Sequence, residues 1–82
     1  MRSTRLRDEV TYELWDYESG NAQGVYMSLL AALQFVYDAV EREGIATLDG
    51  LVLMEVHPGG DRRMVAEERG LIPLIGVGAL AI

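Results

Sequence analysis

His57 is the single histidine of the chain, with Glu55 two residues before it and Asp61 four after. On a strand, positions two apart share a face, so Glu55 and His57 would stand together. A carboxylate beside an imidazole is the pairing of a general base or of a weak metal site. Nothing near them supplies a nucleophile, a second histidine or a phosphate cradle, so we read His57 as a solvated histidine next to a turn. There is no cysteine, which removes disulfides and thiolate metal sites. Glu13, Asp16 and Glu18 gather around the first turn, but a hard cation needs several converging oxygens and this spacing matches no Ca²⁺ loop. They read as a solvated acidic turn. Arg62 and Arg63 could hold an anion, but pairing with neighbouring acids, or keeping a strand soluble, is the expected role. Ser3, Ser19 and Ser28 have local duties in a tail, a turn and a helix cap. The "GVGA" near the C-terminus lacks the strand–turn–helix setting of a dinucleotide loop. No residue is thereby assigned to catalysis, to a cofactor or to a metal, and an enzyme is not the expectation.

Charge narrows the partners. The chain holds 13 acids and 7 basic residues for a net charge of −6. A nucleic-acid binder draws its affinity from neutralising phosphates, so nucleic acid is not the expected partner. Arg2, Arg5 and Arg7 form a short basic arm with no acid among them. They are the candidate anion contact, although a chain end whose arginines lie near the acids of the first strand explains them. All basic residues are arginine, and Ala, Gly, Leu and Val abound, a composition typical of GC-rich bacterial genes. The opening "MRSTRLRDEV" has charge but no apolar core, unlike a signal peptide. No run approaches the roughly 18 apolar residues that span a bilayer. A soluble cytoplasmic protein is expected.

These residues need elements to hold them. From Val10 the pattern alternates, with Val10, Tyr12 and Leu14 on one face and Thr11, Glu13 and Trp15 on the other, as in a strand. Asp16, Ser19, Gly20 and Asn21 are turn formers. "QGVYM" returns as a second strand, in which Gly24 marks a bulge or leaves room for an aromatic ring. Trp15, Tyr17 and Tyr26 are then placed to pair across the hairpin. Ser28 is a plausible N-cap for a helix that Gly44 closes. Leu29, Leu33, Val36 and Val40 form its core stripe, widened by Ala32, Phe35 and Ala39. Leu30 and Tyr37 lie toward the other side and are more apolar than a solvated face requires. "ATLDG" reads as a turn, "LVLMEVH" and "RRMVAEE" as a hairpin around "PGGD". Leu51 and Leu53 face one way, Val52, Met54 and Val56 the other, so both faces of this strand are apolar. The tail from Leu71 to Ile82 has no charge, and Pro73, Gly76 and Gly78 argue against a stable helix there.

The stretch "YELWDYESGN…G.Y", an Ala-rich helix and a late hairpin ending "VAEE.G" resemble a group of uncharacterised short bacterial proteins. They are frequent in actinobacteria and other GC-rich genomes. The resemblance covers residues 12–26 well and 28–70 loosely. It implies a fold and no catalytic residue, because the group has no assigned activity. This chain departs from the group in an apolar helix start, Leu29-Leu30, and in the tail "GLIPLIGVGALAI", where the group has a short charged helix. The outline is also similar to the antitoxin domain of HicA/HicB-type toxin–antitoxin pairs, on topology and acidity alone.

The expected architecture is α+β: ββαββ, a four-stranded antiparallel sheet with one helix on one face, plus an apolar tail. Residues 1–9 are the basic arm, 10–70 the single domain and 71–82 the tail. One helix covers one face, so the far face, carrying Trp15, needs the tail or another chain over it. An 82-residue core is thin, and a homodimer is the favoured cover. The candidate interface residues are Trp15, Tyr26, Leu30, Tyr37, Leu71, Ile72, Leu74 and Ile75. The functional expectation is a non-catalytic protein acting through protein–protein association. The alternative is an antitoxin-like or regulatory protein that meets a basic toxin or nucleic acid.

Overall fold

The computed structural model describes the backbone of residues 9–81 and the side chains of residues 9–76. The alternating segment forms β1 (Thr11–Asp16), which returns through a turn as β2 (Asn21–Tyr26). The turn residues act as their chemistry requires. The Glu18 N–H donates to Asp16 Oδ1 at 2.9 Å, and the Asn21 N–H to Ser19 Oγ at 3.3 Å. Helix α1 (Leu29–Glu43) follows, with Ser28 as its N-cap. The Ser28 hydroxyl accepts from the Ala31 N–H at 3.0 Å, satisfying one of the donors that a helix start leaves unpaired. Gly44 ends it at φ 98°, its N–H donating to the Val40 carbonyl. A short 3₁₀ turn (Ile45–Leu48) leads to β3 (Leu51–Val56) and β4 (Arg62–Glu67). The four strands form one antiparallel sheet in the order β2-β1-β3-β4, so the fold is α+β as the pattern of elements predicts.

The core lies on one side of the sheet. Leu14 and Leu53 are direct partners across β1 and β3 and are fully buried. Over them sit Ala32, Leu33 and Val36 of α1. The stripe spacing predicts this, except that Phe35 stays outside the buried core, about one third exposed, and meets the ring of Tyr26, centroid to centroid at 5.8 Å. The expected pairing of Trp15, Tyr17 and Tyr26 across the hairpin does not form, because alternation puts Trp15 and Tyr26 on opposite faces. Leu48, read as part of a plain turn, is also fully buried.

The tail departs most from expectation. After a second 3₁₀ turn (Glu68–Leu71), residues Ile72–Ala81 form a second helix, α2. Pro73 falls in its first turn, where the missing N–H has no partner to lose, so it does not oppose the helix. Nor does the tail cross the far face. It packs against α1, and Leu71 and Ile75 join the same core cluster as Leu14 and Leu53. The folded unit therefore runs past Gly70. Among the described residues no helix is long and apolar enough to cross a membrane.

Candidate functional site

With both helices on one side, the other face of the sheet is free of any covering element among the described residues. Register defines its surface. Across the middle run Val25, Glu13, Met54 and Met64; on one side of them lie Ala22, Trp15, Val52 and Glu67, and on the other Thr11, Val56 and Arg62. Most of these are apolar. Val52 is buried yet stands outside the helix-side cluster, so its cover comes from neighbours on this face. Met64 and Val25 are 53% and 61% exposed on the two outer strands. An open groove of about 430 Å³ runs along Trp15, Val52, Met54 and Met64, with Asp16, Tyr17, Gly20 and Arg62 also lining it.

At the centre of this face the charges pair. The Trp15 indole N–H donates to Glu13 Oε1 at 2.9 Å. Arg62 Nη2 lies 3.1 Å from that same oxygen and donates to Oε2 at 3.3 Å. Glu13 is only 16% exposed in its side chain, so it is a largely covered carboxylate with both oxygens partnered. At the rim the Tyr17 hydroxyl donates to Glu67 at 3.1 Å. That bond raises the Tyr17 pKa, because ionising the phenol would set it against the Glu67 carboxylate. Trp15 was the one member of this site named from sequence as an interface candidate. Glu13 and Arg62 were read apart, as an acid of the first turn and a base of the second. Only the β1–β3–β4 register brings them together; their sequence separation carries no such signal.

The pair read as possible chemistry is formed, on the helix side of the sheet. His57 Nε2 and Glu55 Oε1 are 2.7 Å apart, and the Tyr12 hydroxyl, across from Glu55 on β1, donates to Glu55 Oε2 at 3.3 Å. The bond to His57 holds the Glu55 carboxyl below its ordinary value, against a smaller desolvation effect in the opposite direction. The His57 charge, Tyr12 and Arg63 add to the lowering. Burial, then the charge of Glu55, pushes the Tyr12 phenol up. Such a dyad can polarise an imidazole, but its site is an open strand end. Among the described residues no three His, Asp or Glu side chains converge on a metal position.

The other interface candidates separate by burial. Leu71 and Ile75 are core residues and have no surface left for a partner. Tyr26, Tyr37 and Leu74 are half-buried against that core; Tyr37 turns inward because it packs against the cluster that α2 helps to build. Leu30 and Ile72 remain exposed. Arg2, Arg5 and Arg7 lie outside the described residues. No protein-family profile, characterised protein or solved structure matches this chain.

Proposed function

We propose that the protein is a non-catalytic cytoplasmic module that works through protein–protein association, as a homodimer. The observation that carries this reading is the open sheet face, an apolar surface around a half-buried tryptophan. Monomers rarely leave a contiguous apolar patch of more than a few hundred Å² in water, and tryptophan is the residue type most enriched at binding hot spots. The Glu55–His57 dyad supports a catalytic reading less well, since it stands at an open strand end with only the Tyr12 hydroxyl bonded to it among the described residues. Sedimentation of the full chain at tens of micromolar tests the reading. A dimer is expected, and a monomer throughout that range overturns it.

A second reading draws on charge. Residues 9–82 hold twelve acids and only four arginines, which suits an antitoxin-like or regulatory protein with a basic partner. Capture of a basic protein by the tagged chain, released by salt, is the result that would favour it.

A further inference from the structure

We infer that the open sheet face is covered by a second copy of this chain, packed sheet to sheet about a two-fold axis with Trp15 at the contact. The inference rests on the association reading and deepens it by naming the surface and its occupant.

Charge selects the surface. With twelve acids against four arginines over residues 9–82, two copies repel each other across most of their surfaces. The open face is different. Its one central acid, Glu13, is matched by Arg62, and Glu67 is held by the Tyr17 hydroxyl. The centre of the face is thereby neutral, and its remaining acids, Glu67 and the groove-lining Asp16, stand toward the first-turn end, so two copies related by a two-fold axis through the centre need not set these acids against each other. The face also offers no free carboxylate in its middle to a basic partner and no cluster of bases to a phosphate chain.

Topology removes the competing route. Sheets also join edge to edge, through the free hydrogen-bonding groups of outer strands. Here each outer strand is bulged: Gln23 is extra between Ala22 and Gly24 in β2, and Val65 between Met64 and Ala66 in β4. A bulge breaks the ladder and increases local twist, which spoils an edge for pairing. What remains is the face. Four strands about 4.8 Å apart and six residues long, at about 3.3 Å each, cover roughly 19 × 20 Å, a footprint below the ~800 Å² per partner of a standard interface, which fits a weak, concentration-dependent dimer. The Trp15 groove with the pliant Met54 and Met64 along it lets two such faces interdigitate rather than meet as flat plates.

Trp15 is the chain's only tryptophan, so its emission reports this face alone. Full-length protein is followed by sedimentation and by Trp15 fluorescence over the same concentration series. The expected result is a mass that doubles as the emission moves to the blue and loses access to a soluble quencher. Met64→Glu, at an exposed position, should keep the far-UV circular dichroism of the parent and weaken the dimer at least tenfold. Leu30→Glu probes the exposed helix surface instead. A dimer whose Trp15 emission does not change with concentration overturns the inference and leaves the association reading standing. So does a dimer weakened by Leu30→Glu and not by Met64→Glu. A chain that stays monomeric overturns both.

Discussion

Gly24 has an unremarkable backbone conformation, so its lack of a side chain answers to space alone. A Cβ there would lie 2.6 Å from the Tyr26 hydroxyl oxygen and 2.9 Å from the ring carbon that bears it. The ring that needs the room is two residues along the same strand, on the helix side, where it meets Phe35. Gly24→Ala should therefore cost about 1–2 kcal/mol by displacing Tyr26. Denaturant unfolding measures this, and in a Tyr26→Val background the penalty should vanish, a coupling that only a shared contact produces. Glu55 makes a second prediction at this scale. Its folded-state pKa lies below the ordinary 4.5, so the native state binds fewer protons than the unfolded chain in this region. Its contribution is complete above the unfolded pKa and is lost as pH falls through the folded one. Thermal midpoints should drop as the pH is taken from about 5 to 3. Glu55→Gln should flatten part of that slope, and an unchanged slope would refute the assignment. His57→Gln should leave the dimer intact.

At the level of elements, Ser28 and the C-terminal helix make opposite points. The cap was legible from residue type, because a hydroxyl before an apolar-periodic run is what a helix start requires. Ser28→Ala should lose about 1 kcal/mol. Ser28→Asp should retain it, since the first turn of α1 contains no acid and the helix dipole favours one there. Helix α2 was not legible. Pro and Gly were weighed as helix breakers without regard to position, and Pro73 falls where a helix tolerates it. The sequence also held no sign that Leu71 belongs to the core, because burial at a chain end depends on where the chain docks. Leu71→Ala should cost about 3 kcal/mol, a large share of the 5–15 kcal/mol that holds a small domain together. Removing the chain after Gly70 would thus test folding rather than association. The sheet and α1 were readable because alternation and the three–four spacing each point one side of an element at the core. Leu48 was missed because the four-residue turn Ile45–Leu48 is too short to show a period that marks which of its apolar residues turns inward.

For the whole molecule, the same alternation that located the core also showed that a second apolar face exists, since β3 is apolar on both sides. It could not show which side the tail would take. The structure gives the tail to the helix side, so among the described residues the far face stays open for the partner proposed above. Its charge pattern depended on register and was invisible beforehand. If that face is buried between copies, thermal stability must rise with protein concentration. A melting temperature that ignores dilution would contradict the dimer. The strand order has a kinetic consequence as well. The two outer seams of the sheet join neighbours in sequence and close as hairpins. The central seam joins Thr11 to Val56 and Asp16 to Leu51, spanning the helix and everything else between the hairpins. Loop closure makes such pairings slow to form. The transition state should therefore be the docking of two preformed halves through Leu14 and Leu53. Shortening Leu53 should then slow folding, whereas Ser28→Ala should mainly speed unfolding.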